Sequence, residues 1–313
     1  MISDARVIIA IVGPTAIGKT SISLQIADDF LGEIVGVDSM QVYRYMDIGT
    51  AKPTLQERAK TPHHLIDIAD PDEEYTVGRY VKDAETAIRA IWRKGNIPLL
   101  VGGTGLYLRG LLNGLSELPA IPPVVRRNLQ KELENNVDSR RRLYEMLQQF
   151  DPESAARIHP HDTQRLLRAL EIYRATGIPW TDHLSRKNPN LTFSKVLRIG
   201  LTCDRDMLYD RINKRVHQMI RQGLVEEVEG LLARGYHGDL KSMQSIGYRH
   251  VVKFLRGLWT KQRTLELLAR DTRHYAKRQY TWFRNDPEVQ WFDLSHQDAL
   301  YRTVEKFLTQ DPR

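Results

Sequence analysis

The stretch Arg6-Val7-Ile8-Ile9-Ala10-Ile11-Val12-Gly13-Pro14-Thr15-Ala16-Ile17-Gly18-Lys19-Thr20 runs an unbroken apolar segment straight into a glycine-bounded turn. Val7 to Val12 has no polar alternation, the pattern of a strand buried on both faces of a parallel sheet. Gly13 to Thr20 matches G-x-x-x-x-G-K-S/T, a phosphate-binding loop. Glycines let the backbone curl so that successive N–H groups point at phosphate oxygens. Lys19 adds a point charge, Thr20 offers a hydroxyl to Mg²⁺, and the next helix presents its positive end. That helix is marked by Ile22, Leu24, Ile26, Ala27 and Phe30. The loop alone leaves open whether the phosphates belong to a nucleoside triphosphate or to another diphosphate.

Two further strands are expected to end beside this loop. Gly32 to Val37 leads into Asp38-Ser39-Met40-Gln41, and Ile97 to Val101 leads into Gly102-Gly103-Thr104-Gly105. Ligands of open α/β sheets bind beyond the carboxyl ends of the strands, so Asp38 and Thr104 become candidate catalytic residues. A carboxylate there acts as a general base or holds Mg²⁺ through water; the residues do not separate the roles. Residues 42–76 read as one long polar and aromatic connection. Its His63 and His64 lack metal-ligand spacing and are assigned to structure or substrate contact. Val77 to Trp92 has helical periodicity, stopped by Gly95-Asn96.

Three prolines between Leu118 and Pro123 mark a boundary. Charge-dense helical sequence follows, and Val196 to Leu201 returns as a strand. The expected architecture is a P-loop NTPase-like α/β core, a parallel sheet flanked by helices, made of residues 1–118 and 196–313. Residues 119–195 would form a mostly helical insertion lying over the site. Asp151-Pro152-Glu153 reads as a helix start. The later helices are expected over Leu208 to Arg221, Val225 to Ala233 and Thr260 to Arg284, with a last strand over Val289 to Asp293. In the longest, Arg270, Arg273, Lys277 and Arg284 fall near one face, and Tyr275, Tyr280, Trp282 and Phe283 read as aromatic surface suited to RNA.

The chain has 313 residues, 41% of them apolar and 27% charged, as in a globular protein. One cysteine, Cys203, excludes an internal disulfide framework and a multi-cysteine zinc site; it reads as a small buried hydrophobe. No apolar run is long enough to span a membrane, and MISDAR lacks a signal-peptide layout, so a cytoplasmic location is expected. The net charge of +7 is unevenly placed. Residues 1–118 carry 12 Lys and Arg against 15 Asp and Glu, residues 119–195 carry 13 against 9, and residues 196–313 carry 21 against 15. All the excess positive charge lies downstream of the loop region, which points to a polyanionic partner.

Together the motifs resemble the tRNA dimethylallyltransferases, also called tRNA isopentenyltransferases, of the compact bacterial type. The matching stretches are GPTAIGKT (13–20), DSMQVYRYMDIGTAKP (38–53), PHHLID (62–67), GGTGLY (102–107), DPESAARIHPHDTQRLLRALEIYRATG (151–177), RVHQMIRQGLVEEV (215–228), SIGYR (245–249) and KRQYTWFR (277–284). Ile17 departs from the serine usual in the family's loop. The resemblance implies transfer of a dimethylallyl group from dimethylallyl diphosphate to the exocyclic amine of the adenosine 3′ of the anticodon, with Mg²⁺. It implies that the loop, with Arg215, holds the donor's diphosphate, that Asp38 is the catalytic aspartate, and that Thr104 contacts the reacting base or the diphosphate. The anticodon stem-loop would be met by Asp38, Ser39, Met40, Gln41, Thr104, Arg126, Gln164, Arg165, Leu166, Leu167, Arg168, Gln244, Ser245, Ile246, Gly247, Tyr248 and Arg249. A monomer is expected, without a membrane partner. The rival readings are an adenylate dimethylallyltransferase, a P-loop small-molecule kinase, and a non-enzymatic RNA-binding protein that would leave Lys19, Thr20 and Asp38 unexplained.

Overall fold

A computed structural model describes residues 6–116, 118–135, 138–184, 187–188, 191 and 193–310. Most of MISDAR, on which the expectation about a signal peptide rests, lies outside the described residues. The chain forms two compact units, residues 1–112 with 191–313, and residues 113–190.

The first unit begins with β1 (Val7–Val12), α1 (Lys19–Asp29), β2 (Gly32–Val37), α2 (Leu55–Lys60), β3 (His63–His64), α3 (Val77–Arg93), β4 (Ile97–Gly102) and α4 (Gly105–Asn113). In the second unit follow β5 (Leu115–Ser116), α5 (Pro123–Glu134), α6 (Ser139–Phe150), α7 (Pro152–Arg157), α8 (Thr163–Thr176), α9 (Trp180–Leu184) and β6 (Lys187–Asn188). The first unit resumes with β7 (Lys195–Thr202), α10 (Arg205–Arg221), α11 (Leu224–Ala233), α12 (Tyr248–Leu255), α13 (Lys261–Arg284), β8 (Val289–Asp293) and α14 (Gln297–Thr309).

Six strands make one all-parallel sheet in the order β3-β2-β4-β1-β7-β8. β1 is central, with Val12 level with Gly102 of β4 on one side and Gly200 of β7 on the other. Ile8, Ile9 and Ile11 have no exposed surface, and each such side chain contributes roughly 1.5–3 kcal/mol of burial free energy. On one face of the sheet Ile9, Ile11, Leu99, Ile199 and Leu201 pack with Ile22 and Ile26 of α1 and Ile212 of α10.

The connection over 42–76 contains two elements that its polar composition concealed. Thr54 and Glu57 form a capping box that starts α2, and His63 and His64 form the two-residue edge strand β3. His64 Nε2 meets the buried Glu33 carboxylate at 2.7 Å, which Lys94 and Asn96 also hold. The buried Lys52 donates to the Tyr43 carbonyl and to Asp47 and Asp67, with Arg58 on the other Asp67 oxygen.

In the second unit Leu129, Leu143, Leu147, Ala155, Ile158, Leu166, Leu167, Ala169 and Leu170 form a core of its own. Asp151 caps α7 through Ser154 N–H and accepts two bonds from Thr181, tying α7 to α9. Arg126 and Arg168 flank the buried Glu171 carboxylate at 3.5 and 3.3 Å.

Candidate active site

The phosphate loop has the geometry its spacing requires. Gly13 and Gly18 take φ of 144° and 104°, values that side-chain-bearing residues avoid, and Gly18 opens α1. Thr15, Ala16, Gly18, Lys19 and Thr20 line a 470 Å³ cavity over the strand ends. Pro14 is buried, and its carbonyl and that of Gly13 accept Lys19 Nζ at 2.8 and 3.0 Å. Ile17, expected to bind the diphosphate, is fully buried among core side chains and is not among the residues lining the cavity.

Opposite Lys19, helix α10 projects Arg211, Lys214, Arg215 and Gln218 into the same cavity. Their spacing of three, one and three residues is that of a single helical face. Of these only Arg215 is expected from the sequence as a diphosphate contact, although the period is readable there. Burial pulls Lys19 down to about 7, helped by the Arg215 charge and opposed by Asp38. Burial likewise raises the Asp38 carboxyl above its ordinary range, against the pull of Met40 and Gln41 N–H bonds and the charges of Lys19 and Arg215.

Asp38 follows β2 directly. Its Oδ1 accepts Met40 N–H at 2.8 Å and Gln41 N–H at 3.3 Å, an arrangement that fixes the turn and the carboxylate together. Thr104 Oγ1 accepts the Ser39 N–H at 3.1 Å, joining the ends of β2 and β4. The three strand ends therefore meet as expected, and α13 closes over them with Tyr275 beside Thr104 and Gln279.

A second cavity of 340 Å³ adjoins the first. The two share Thr15, Asp38, Thr50, Arg215 and Tyr275. Its walls are more apolar, from Met40, Ile212, Val216, Met219, Ile246 and Leu268, with Ser39, Gln244, Ser245, Gly247 and Arg249 at its polar side. Asp38 thus stands between a cationic chamber and a largely apolar one.

Several residues expected to touch tRNA play structural parts instead. Tyr248 is fully buried and its hydroxyl donates to Glu227 at 2.6 Å. That carboxylate also accepts the N–H groups of Asp47, Ile48 and Gly49, holding the loop that walls the cavities. Leu166 and Leu167 are buried in the helical unit's core, while Gln164 and Arg165 on the same helix are exposed. On α13 the residues lining the cavities are Leu268, Thr272, Tyr275, Arg278 and Gln279. Phe283, expected at the surface, is 1% exposed, and Arg273 is turned to Asn213 of α10 at 2.7 Å. Cys203 is half-buried at the core's margin. Among the described residues no group of three His, Cys, Asp or Glu could hold a metal, and no helix is long and apolar enough to cross a membrane.

The IPP transferase family model matches residues 41–286, and the isopentenyl transferase model matches residues 6–70. A tRNA dimethylallyltransferase of Desulfotalea psychrophila is 50% identical over 301 residues, covering 96% of this chain and 95% of the relative. The tRNA dimethylallyltransferase 2 of Geotalea uraniireducens is 49% identical over 290 residues, 93% of each chain. Among solved structures, the tRNA isopentenylpyrophosphate transferase of Bacillus halodurans matches with a TM-score of 0.71 at 40% identity, over 97% of each chain. A eukaryotic dimethylallyltransferase acting on tRNA matches with a TM-score of 0.80 at 30% identity, over 98% of this chain and 81% of the other.

Proposed function

The chain belongs to the tRNA dimethylallyltransferase family, and from that premise we propose how it acts: it transfers a dimethylallyl group from dimethylallyl diphosphate to the exocyclic N6 of the adenosine 3′ of the tRNA anticodon. The observation that carries this reading is the place of Asp38 on the boundary of two chambers. One chamber is built for a diphosphate, and the other has the apolar and hydrogen-bonding walls that suit a base brought against it.

The diphosphate is cradled by the loop from Gly13 to Thr20 and faced by Lys19, Arg211, Lys214 and Arg215. These groups stabilise the charge that gathers on the leaving oxygen as the allylic C–O bond breaks, where a single well-placed donor is typically worth about 10²–10³ in rate. The N6 lone pair forms the new C–N bond, and the C–O bonding pair departs with diphosphate. The N6 proton passes to Asp38 through Oδ2, since Oδ1 is committed to Met40 and Gln41. The raised affinity of Asp38 for a proton favours that step. Thr104, fixed by Ser39, and Tyr275 beside it bound the space where base and donor meet.

Hard oxygen ligands suit Mg²⁺, and the Thr20 hydroxyl in the diphosphate chamber would be the protein's own donor to it. The chemistry it supplies when bound is charge neutralisation on the departing diphosphate.

Extracting the adenosine from its loop costs a few kcal/mol, to be offset by protein contacts. Gln244, Ser245, Ile246 and Arg249 at the second chamber, and the exposed Arg126, Gln164, Arg165 and half-exposed Arg168 of the helical unit, are the side chains assigned to tRNA. The chain acts as a monomer in the cytoplasm. The deciding experiment offers purified protein dimethylallyl diphosphate and Mg²⁺ with unmodified tRNA or with AMP. Prenylated tRNA is expected. Transfer to AMP alone, or phosphoryl transfer from ATP, overturns the reading.

A further inference from the structure

Gln279 is 264 residues from Thr15 in the chain yet holds its backbone. Its Oε1 accepts the Thr15 N–H at 2.8 Å, and its Nε2 donates to the Gly103 carbonyl at 3.1 Å. The side chain is 5% exposed. The partners settle which end of the amide is which, because an N–H meets only the oxygen and a carbonyl meets only the nitrogen. A Cβ at position 103 would overlap Gln279 Nε2, so glycine is what lets the amide approach the turn.

Thr15 belongs to the diphosphate loop after β1, and Gly103 precedes Thr104 after β4. The two strands are neighbours, with Val12 level with Gly102. The sheet therefore fixes the two loops at their bases, and the Gln279 amide fixes them at their tips. One turn earlier on the same helix, Tyr275 borders both chambers. An amide puts a donor and an acceptor on one short planar group of this reach; a carboxylate only accepts, and an ammonium only donates.

We propose that Gln279 is a positioning residue for the transfer reaction: it sets the distance between the diphosphate cradle and the Thr104 turn, and so between the donor's reactive carbon and the acceptor amine. The inference rests on the proposed function. Reacting atoms must be held within roughly 3–3.5 Å, and a displacement of about 1 Å costs on the order of 10²-fold in rate. Gln279 acts through the backbone of Thr15 and of Gly103, the residue before Thr104, so its loss changes turnover and leaves the ligands' own contacts in place.

The test compares wild type, Gln279→Leu, which removes both bonds, and Gln279→Glu, which keeps an acceptor for Thr15 but sets an anion against the Gly103 carbonyl. Initial rates are measured against dimethylallyl diphosphate and against tRNA, with thermal unfolding of each protein. The expected result for Gln279→Leu is a fall in kcat of roughly 30–100-fold, with KM for each substrate within about threefold of wild type. Gln279→Glu is expected to fall at least as far. An unchanged kcat in a folded Gln279→Leu overturns the proposal, and so does a loss confined to the donor KM, which would make Gln279 a diphosphate contact. Should the leucine variant fail to fold, the same split is read from Gln279→Glu. A wild-type protein that leaves tRNA unprenylated refutes the proposed function itself, whatever the variants do.

Discussion

Acid should weaken this protein through one buried imidazole. His250, in the first turn of α12, is fully buried. Its Nδ1 accepts the Gly247 N–H at 3.4 Å, so the ring proton is on Nε2, which faces Asp271 Oδ2 at 3.1 Å. A second proton has no place except Nδ1, at the expense of the Gly247 bond. Burial and the neighbouring Arg249 charge, only partly opposed by Asp271, pull the imidazole down to about 4 from an ordinary 6.5. Between those pH values the unfolded chain binds a proton that the folded chain refuses. The His250 contribution to stability therefore falls as pH drops from 6.5 toward 4 and is constant below. At about 1.4 kcal/mol per unit, the whole window is worth about 3 kcal/mol, and pH 5 already costs about 2 kcal/mol. Asp271 itself, held near 2, stays ionised throughout and adds nothing to this window. Urea unfolding at about pH 7.5 and about pH 5 measures the loss in wild type and in His250→Gln, whose amide stays neutral. Wild type should lose about 2 kcal/mol more than the variant. Equal losses would show that His250 titrates normally and refute the reasoning.

Asp38→Ala should lower kcat by about 10²–10⁴-fold while tRNA affinity changes little; equal losses in rate and in affinity would make Asp38 a binding residue. Replacing Arg165 and Arg168 together should weaken tRNA binding and flatten its dependence on salt, by about 0.7–0.9 in the logarithmic slope for each phosphate left without its arginine. An unchanged slope argues against phosphate contact. Gly49→Ala would drive a methyl group into the Tyr248 ring and should cost about 1–3 kcal/mol in urea unfolding; a wild-type midpoint would mean the loop yields freely.

The readable parts of the fold are those where one physical demand dominates a run of residues. Strands buried in the middle of the sheet need mostly apolar sequence, so β1, β2, β4 and β7 are legible despite Glu33 and Arg198, and β8 is legible to the residue. β3 is not, because two histidines held by Glu33 and by pairing to β2 leave no apolar signature. At the site, the loop, Asp38 and Thr104 stand out because each follows a strand. Arg211, Lys214 and Gln218 escape notice although they share the helical face of Arg215. Gln279 and Tyr275 can be placed only by knowing which side of α13 faces the sheet. Tyr248, Leu166 and Leu167 mislead for the opposite reason: a motif that includes ligand-touching residues also includes those that hold them in place.

The position of β1 carries a consequence for how the protein is made. The earliest in chain order of the six sheet strands, it ends at the middle of the sheet, and its partner β7 lies far along the chain, by the register Val7 to Lys195. Until that partner leaves the ribosome, one edge of an all-apolar strand is unpaired, a template for pairing with other chains. The intervening 113–190 segment has its own core and closes on local contacts. Biosynthesis thus completes a self-contained helical unit while the catalytic sheet is still half built. A chain that stalls between residues 113 and 195 would carry the open β1 edge into solution and be the species most prone to aggregate.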